Sequence, residues 1–210
     1  MILLVDLCWQ PDSLSRDEYV GPVARIVERV GEPWSEVHFS RVADETLAGM
    51  SGIILCGTAL QDNLFADRIA EYSLLFDTAL PVLGICAGMQ ALCLAFGGRI
   101  HPACEIGMTK VRAGTTDPLL GNAGDFEAYE LHTFACDPPP GWEVAAASAV
   151  CIQAVRHPTR PLFGVMFHPE VRNDHVVERF CALCRERRQS SMEGKKSSGR
   201  RFSHGETGAL

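Results

Sequence analysis

The segment from Pro81 to Gln90 constrains the fold of this chain more than any other. An apolar run leads into a Gly-x-Cys-x-Gly pattern centred on Cys86, and an apolar, helix-compatible run from Met89 to Phe96 follows. This order is typical of a nucleophile elbow, in which a buried strand ends in a sharp turn and a helix begins at once. Glycines on either side relieve the crowded backbone of such a turn. The first N–H groups of the helix would lower the pKa of the Cys86 thiol and stabilise an oxyanion.

A buried cysteine with no chemical role is the alternative interpretation of Cys86. Cysteine is among the most buried residue types, and this chain contains nine. The glycine spacing favours catalysis, because it serves no packing purpose at a strand end unless something is exposed there. Among the other cysteines, only Cys181 and Cys184 have metal-like spacing. They lie on an apolar-periodic segment without a second Cys or His pair, so we predict core packing for them and no metal site.

Length and composition are those of a single globular domain. The chain has 210 residues, of which 47% are hydrophobic, and a formal net charge of −7. That charge argues against a general nucleic-acid binder, which usually carries a basic surface. Residues Met1 to Asp6 have the pattern of a buried strand and not of a signal peptide. No apolar run approaches the roughly 18 residues that span a membrane, so we expect a cytoplasmic protein with mostly reduced thiols.

Apolar patterning along the chain predicts a sheet covered by helices. Strands are predicted at Met1–Cys8, Val37–Ser40, Ser51–Gly57, Pro81–Ile85 and Leu162–Phe167, and helices at Arg16–Val30, Asp44–Ala48, Phe65–Leu80, Met89–Phe96 and Asn173–Arg187. Strands without polar alternation are expected where both faces of a sheet are covered. Strands that alternate with helices are typical of parallel sheets. The predicted fold class is therefore α/β, with a mostly parallel central sheet and helices on both faces.

The region after Gly98 has a different pattern. Short alternating segments separated by Gly and Pro turns span Met108–Ala113, Phe126–His132, Trp142–Ala147 and Val150–His157. Such segments are typical of hairpins, so we predict an added antiparallel layer around one face of the main sheet. The domain is expected to span residues 1–187. Residues 188–210, rich in Ser, Gly, Lys and Arg, are predicted to be a disordered basic tail that is simply solvated, with contact to a partner or RNA as the alternative.

A second motif, His168-Pro169-Glu170, follows the predicted strand Leu162–Phe167. Pro169 fixes the backbone between His168 and Glu170, so both side chains can point the same way. A carboxylate on one ring nitrogen would orient the imidazole and leave the other nitrogen free to take a thiol proton. With Cys86, these residues would form a nucleophilic triad. Taken alone, the motif is better interpreted as a surface turn with an N-cap carboxylate.

Together, the two motifs resemble the class I, triad-type glutamine amidotransferase domain. The segment Gly84 to Gln90 is similar to the nucleophile segment of that family, and Gly164 to Val171 is similar to its His/Glu segment. Their order and their separation of about eighty residues also fit. Two independent motifs in one chain make the resemblance specific, and it extends from Met1 to about Arg187. It implies the flavodoxin-like α/β fold of the family.

The resemblance also implies hydrolysis of L-glutamine without a cofactor. Cys86 would attack the side-chain amide, His168 would accept the thiol proton and protonate the departing ammonia, and water would hydrolyse the γ-glutamyl thioester. Glu170 would hold His168. Gln90, one turn into the elbow helix, matches a position of the family that contacts the substrate.

The oxyanion hole that the resemblance implies includes one departure from the family pattern. The N–H of Ala87 would be one donor, and the loop at Gly57 and Thr58, at the end of the neighbouring strand, would supply the other. The family loop often reads Gly-Gly-Pro, whereas this chain has Thr58 in place of the second glycine. A side chain restricts the positive-φ geometry that such a loop can use. We therefore expect the oxyanion hole to be completed when a partner binds.

Two further segments are similar to substrate-holding loops of the family. Glu105 and Gly107 fall where the family lines its glutamine pocket. His132 and Thr133, within Glu130–Phe134, fall where a His-containing loop offers backbone groups to the α-carboxylate and α-amine of glutamine. A hairpin histidine without a substrate role is the alternative for His132.

Ammonia released at Cys86 would need an acceptor site that the chain does not supply. The sequence has no phosphate-binding Gly-x-x-x-x-Gly-Lys-Ser/Thr motif, so the expected partner is a separate ATP-dependent synthetase subunit. The segment Ile152 to Pro158 is most similar to the glutaminase subunit of GMP synthase within the family. A stand-alone γ-glutamyl hydrolase or peptidase and a non-catalytic regulatory module are the alternatives. An intact Cys86, His168 and Glu170 argues against the second of these.

Overall fold

The computed structural model describes residues 1–199, with Glu45 and residues 191–199 described by their backbone only. The strands are β1 (Ile2–Asp6), β2 (Trp34–His38), β3 (Gly52–Leu55), β4 (Val82–Ile85), β5 (Arg99–Ala113), β6 (Gly124–Asp137), β7 (Glu143–Ala147), β8 (Ile152–Arg156) and β9 (Leu162–Val165), and the α-helices are α1 (Leu14–Arg29), α2 (Leu64–Asp67), α3 (Ala87–Ala95) and α4 (His175–Gly199). Within the described chain, all nine strands form one sheet in the order β2-β1-β3-β4-β9-β8-β7-β5-β6.

Five neighbouring strands, β2, β1, β3, β4 and β9, run parallel and form one half of the sheet. Every residue of β1, β3, β4 and β9 is buried, as expected of strands covered on both faces. Alternate residues of β1 divide between two core clusters, one built with apolar residues of α1 and α4 and the other with residues of α2 and α3. The predicted α/β fold with a mostly parallel core and helices on both faces is confirmed.

The other half of the sheet is antiparallel and is dominated by the long hairpin of β5 and β6. The sequence predicted these hairpins as a layer around one face of the main sheet. Instead, β8 pairs directly with β9, with Ala154 opposite Val165, so that the hairpins extend the same sheet at its edge. The physical reason is that β9 offers unpaired backbone groups on one side, and an antiparallel strand satisfies them.

The segment after β3 differs most from its prediction. The single helix expected over Phe65–Leu80 is divided into the short α2 and a 3-10 helix at Ile69–Leu75, whose backbone is non-helical at Tyr72. Tyr72 is fully buried, and its hydroxyl donates a hydrogen bond of 2.7 Å to the carbonyl oxygen of Phe65. Burying this aromatic ring while its hydroxyl keeps a hydrogen bond stabilises the chain more than a continuous helix would.

The last described helix extends beyond the predicted end of the domain. Residues 188–199 belong to α4, whereas the sequence predicted disorder from Arg188. Arg, Gln, Glu, Met and Lys are good helix formers, so a segment poor in aliphatic residues can still have helical propensity. Among the residues whose side chains the structure describes, Cys184 is the last buried core residue of α4, and it belongs to the same core cluster as Cys181, as predicted. The remaining residues of the predicted tail, 200–210, lie outside the described residues.

Two general expectations bear on the environment of the chain. All nine cysteines are free thiols. In the part of the chain that the structure describes, no helix combines the length and the apolar character needed to cross a membrane.

Candidate active site

Three loops that follow neighbouring parallel strands meet at one edge of the sheet. Gly57 follows β3, Cys86 follows β4 and His168 follows β9, and these strands are adjacent in the order β3-β4-β9. The carboxyl ends of parallel strands are where sheets of this kind place their ligands. The sheet topology therefore brings these three residues close together in space, although they lie far apart in the sequence.

The turn at Cys86 is sharp and strained. Its backbone has φ of 50° and ψ of −104° and joins the end of β4 directly to α3. Apart from glycines, only Cys86 and Asp12 have positive φ among the described residues, and a non-glycine residue in such a conformation carries a strain of about 1–3 kcal/mol. The Cys86 N–H donates to the carbonyl oxygen of Val165 at 2.8 Å, so β9 holds the strained turn in place.

The two glycines of the elbow are required by close backbone approaches. A Cβ atom at Gly84 would lie 2.4 Å from the carbonyl carbon and oxygen of Gly88. A Cβ atom at Gly88 would lie 2.2 Å from the carbonyl oxygen of Leu55 on β3. Neither approach leaves room for any side chain, so α3 can begin this close to β3 and β4 only with glycine at both positions.

His168 and Glu170 form a buried pair beside the elbow. His168 Nδ1 and Glu170 Oε1 are 2.7 Å apart, and both side chains are 2% exposed. Because the carboxylate holds a proton on Nδ1, the neutral imidazole carries its lone pair on Nε2, which has no hydrogen-bond partner among the described residues. Burial disfavours the imidazolium, but the charges of Cys86 and Glu170 outweigh burial and raise the pKa of His168 well above its ordinary value.

A small pocket opens in front of Cys86. Its walls are Thr58, Ala59, Leu60, Asp62, Asn63, Phe65, Cys86, Ala87, Gln90 and the segment 131–134 of β6. Its volume is about 280 Å³, including the open mouth. The Cys86 thiol also faces the carbonyl oxygen of Leu131, with Sγ 3.9 Å from it. The pocket thus combines a thiol with backbone groups from the antiparallel half of the sheet.

The loop at Gly57 and Thr58 lies where the sequence placed it, next to Cys86 and His168. A Cβ atom at Gly57 would lie 2.9 Å from Cε1 of His168, so this glycine permits the imidazole to sit against the loop. Thr58 is buried, and its hydroxyl donates a hydrogen bond of 2.7 Å to Asp62. Neither Gly57 nor Thr58 is among the described residues with positive φ. The hydrogen bond from Thr58 therefore holds the loop in a backbone conformation that does not require glycine.

The predicted substrate-binding residues divide into two groups. Gln90, His132 and Thr133 line the pocket. The side chain of Gln90 donates to the carbonyl oxygen of Phe134 at 2.8 Å, so α3 is joined to the segment of β6 that forms the pocket wall. Glu105 and Gly107 do not line the pocket.

Glu105 instead belongs to a buried polar cluster behind the pocket wall. Glu105 Oε2 lies 3.0 Å from the Ser148 hydroxyl, 3.2 Å from Cys151 Sγ and 2.8 Å from Gln153 Nε2. Burial, followed by the contact with Glu105, raises the pKa of the Cys151 thiol to about 12. Although the sequence predicted no metal site, Glu105, His132 and Cys151 bring their ligand atoms within 4.8 Å of one another.

Sequence reasoning missed three residues that the structure places near these groups. The ring of Tyr19, on α1, lies 5.8 Å from that of His168. Glu130 is completely buried, and burial raises the pKa of its carboxyl. Gln153 is also completely buried. An acid and an amide within segments of alternating polarity were the available signal, because such groups are seldom buried without partners.

The chain is similar to known proteins of one family. Residues 17–180 match the family model described as Glutamine amidotransferase class-I. The glutamine-hydrolyzing GMP synthase subunit of Methanocaldococcus jannaschii is 32% identical over 176 residues, which cover 80% of this chain and 87% of that protein. The corresponding subunit of Methanothrix thermoacetophila is 35% identical over 145 residues, with 64% and 77% covered.

Two solved structures share the architecture. A candidate GMP synthase subunit from Thermoplasma acidophilum has a TM-score of 0.80 at 26% identity, and the match covers 91% of this chain and 96% of that one. A glutamine amido transferase from Methylobacillus flagellatus has a TM-score of 0.64 at 20% identity, with 87% and 74% covered, and at that identity it supports the fold alone. Because the family model spans well over half of its length, this chain belongs to the class-I glutamine amidotransferase family.

Proposed function

We propose that this chain hydrolyses the side-chain amide of L-glutamine through a triad of Cys86, His168 and Glu170 and supplies the ammonia to a separate GMP synthase subunit. The observation that carries the proposal is the strained Cys86 turn beside a buried His168–Glu170 pair of 2.7 Å. Family membership supports the reaction. The names of the relatives, which are glutamine-hydrolyzing subunits of GMP synthase, support the acceptor.

In the first half of the reaction, the thiolate of Cys86 attacks the amide carbon of glutamine. Nε2 of His168 has received the thiol proton and gives it to the departing nitrogen, so ammonia leaves and a γ-glutamyl thioester remains on Cys86. Glu170 holds the Nδ1 proton of the ring and stabilises the imidazolium. The raised pKa of His168 fits this role, because the charged ring is the proton donor to the leaving group.

In the second half, a water molecule gives a proton to Nε2 of His168 and attacks the thioester carbon. The C–S bond breaks, glutamate leaves, and the proton returns to the Cys86–His168 pair. Both tetrahedral intermediates carry an oxyanion. We assign the N–H of Ala87, at the first position of α3, as one donor, since the N-terminus of a helix favours negative charge.

The second oxyanion donor is assigned to the loop of Gly57 and Thr58. The hydrogen bond from Thr58 to Asp62 holds this loop, so we propose that synthetase binding reorients it and completes the oxyanion hole. Thr58→Gly removes the contact and is expected to raise the glutaminase rate of the isolated chain toward that of the complex. This role would be contradicted if the glutaminase rate of Thr58→Gly depended on the synthetase as strongly as that of the original chain.

Glutamine itself is assigned to the pocket in front of Cys86. Gln90 and the segment 131–134 would contact its α-carboxylate and α-amine, with His132 and Thr133 contributing backbone groups. Neither Glu105 nor Gly107 is retained as a direct substrate contact, because neither lines this pocket.

The decisive experiment is an affinity purification of the chain followed by glutaminase assays with and without the co-purifying protein. We expect an ATP-dependent synthetase that stimulates glutamine hydrolysis by more than about tenfold, which corresponds to roughly 1.4 kcal/mol of barrier. Ammonia production coupled to GMP formation would identify the acceptor. Full activity on γ-glutamyl peptides without a partner would instead indicate a γ-glutamyl hydrolase, and unchanged function of Cys86→Ala would indicate a regulatory module.

A further inference from the structure

A buried cluster of potential metal ligands lies behind the pocket wall. Its members are Glu105 on β5, Glu130 and His132 on β6, and Cys151 just before β8. Glu105, Glu130 and His132 are each at most 7% exposed, and Cys151 is half-buried. We propose that this cluster binds a divalent zinc-type metal ion through Glu105, His132 and Cys151, with Glu130 as the fourth ligand.

The tautomer of His132 is the first argument. Its Nδ1 lies 3.0 Å from the carbonyl oxygen of Ala103, and because a carbonyl can only accept, Nδ1 must carry the proton. In the neutral ring, the lone pair is then on Nε2, which lies 3.6 Å from Glu105 Oε2 and 3.4 Å from Glu130 Oε2. Metal-binding histidines are commonly oriented in this way, with the other ring nitrogen donating to a backbone carbonyl.

The distances between the ligand atoms are the second argument. Tetrahedral zinc with sulfur, nitrogen and oxygen ligands at their usual bond lengths requires ligand atoms about 3.3–3.7 Å apart. Glu105 Oε2 lies 3.2 Å from Cys151 Sγ and 3.6 Å from His132 Nε2. Glu130 Oε2 lies 3.4 Å from His132 Nε2. The two separations from His132 Nε2 fall within this range and are long for direct hydrogen bonds, whereas the contact between Glu105 and Cys151 is slightly shorter than the range.

The cluster also leaves buried polar atoms without hydrogen-bond partners among the described residues. Both carboxylate oxygens of Glu130 and Nε2 of His132 have no hydrogen-bond partner in the described chain. Such atoms are costly in a protein interior. Among the described residues, His132 is the ion-pair partner of both Glu105 and Glu130, and no Lys or Arg forms an ion pair with either carboxylate. A dication would satisfy these atoms at once, and the Cys151 thiol would release its proton to solvent on binding.

The ligand set decides the kind of metal. A thiolate and an imidazole select zinc-type ions over magnesium or calcium, which prefer oxygen ligands alone. Four protein ligands around one ion are typical of a structural site. An ion here would tie β5, β6 and the start of β8 together, and it would fix the segment 131–134 that forms the pocket wall. This inference stands independently of glutamine hydrolysis.

The test uses the full chain with Cys86→Ala, so that the proposed nucleophile does not bind metal. The protein is stripped with a chelator and titrated with Zn²⁺, and Co²⁺ is added in parallel to report a thiolate-to-cobalt charge-transfer band. We expect one ion per chain and a rise in melting temperature with Zn²⁺. Adding Cys151→Ser should remove the cobalt band and weaken zinc binding by at least tenfold. Cys104→Ser is the matched control, because Cys104 is an exposed thiol on the same strand as Glu105. This variant should change neither the cobalt band nor the affinity for zinc.

Two further measurements keep the result decisive if the Cys151→Ser chain does not fold. Zinc X-ray absorption of the Cys86→Ala chain should show one sulfur ligand, and a shell of nitrogen and oxygen alone would overturn the proposal. Glu130→Gln should weaken zinc binding by about tenfold, and an unchanged affinity would remove Glu130 from the ligand set. The proposal would be overturned entirely if the chain did not bind zinc stoichiometrically. In that case, a proton on Nε2 of His132, shared between the two carboxylates, would take the place of the metal ion.

Discussion

The parallel and antiparallel halves of the sheet both contribute to the pocket, but they do so in different ways. The parallel half supplies Cys86, His168 and Gly57 from the ends of adjacent strands, so a repeated strand-and-loop topology brings them together. The antiparallel half supplies the segment 131–134, whose position depends on the register of one long hairpin. The parallel half therefore carries the proposed chemistry, while the antiparallel half shapes the wall of the pocket.

The largest expected effect comes from the nucleophile in the parallel half. Cys86→Ala should lower the glutaminase kcat by about 10⁴-fold or more, since removing the nucleophile of a triad leaves only the contribution of binding and the oxyanion hole. The rate of ammonia release at saturating glutamine measures this. The matched control is Cys104→Ser in the antiparallel half, an exposed thiol, which should leave kcat unchanged. Activity of Cys86→Ala within tenfold of the original chain would refute the triad.

The second effect concerns the orientation of the imidazole. Glu170→Gln should lower kcat by roughly 10²–10⁴-fold with little change in KM, because an amide no longer holds the Nδ1 proton or stabilises the imidazolium. Steady-state kinetics with glutamine separate these two parameters. An effect on KM alone would place Glu170 in substrate binding instead.

The same variant tests the electrostatics of the pair. Because the charges of Cys86 and Glu170 raise the pKa of His168 against the effect of burial, that pKa should fall in both Glu170→Gln and Cys86→Ala, as NMR titration of the ring would show. A raised pKa adds stability that is fully present below the unfolded value of about 6.5 and is lost as pH rises through the folded value. The free energy of unfolding should therefore differ most between the original chain and Glu170→Gln on the acidic side, and the difference should shrink toward alkaline pH.

A third effect compares glycines in the two halves. Gly88→Ala should lower the free energy of unfolding by about 3 kcal/mol, because its Cβ would overlap the backbone of β3 and the core has no room to adjust. Urea denaturation measures this loss. Gly114→Ala, in the loop after β5, is the matched control, since no atom lies within 4 Å of the added carbon. Equal stability of the two variants would show that the elbow is not tightly packed against β3.

The smallest effect concerns the link between the halves. Gln90→Ala removes the hydrogen bond from α3 to Phe134, which is worth about 0.5–1.5 kcal/mol. We expect KM for glutamine to rise by up to about tenfold while kcat changes little, since the pocket wall loosens but the triad stays in place. Gln10→Ala, at an exposed position, serves as the control. A fall in kcat alone would assign Gln90 to the reacting atoms instead.

Features that depend on local chain geometry were largely predictable. The elbow at Cys86 could be derived because a strand, two glycines and a helix in that order leave few conformations for the turn. The adjacency of Gly57 and Cys86 followed from the parallel order of their strands. Buried strands in the parallel half were recognisable because both of their faces are apolar.

Features that depend on long-range pairing were predicted less well. The break near Tyr72 could not be read from periodicity, because it depends on where that ring is buried and on the carbonyl that satisfies its hydroxyl. Glu105 was assigned to the pocket by family resemblance, but the β5–β6 register turns it toward Cys151 and Gln153. A shift of one residue in a strand moves a side chain to the opposite face, and no local pattern specified that register.

The sequence by itself determined the α/β class, the Cys86 elbow and the order of the residues proposed as the triad, because these follow from strand and helix patterns and from glycine geometry within short segments. Only the tertiary structure decided that the hairpins extend the same sheet, that Gln90 joins α3 to the pocket wall, and that Glu105, Glu130, His132 and Cys151 form one buried cluster. The physical reason is that contacts between strands far apart in the chain depend on register and burial, which are properties of the assembled core.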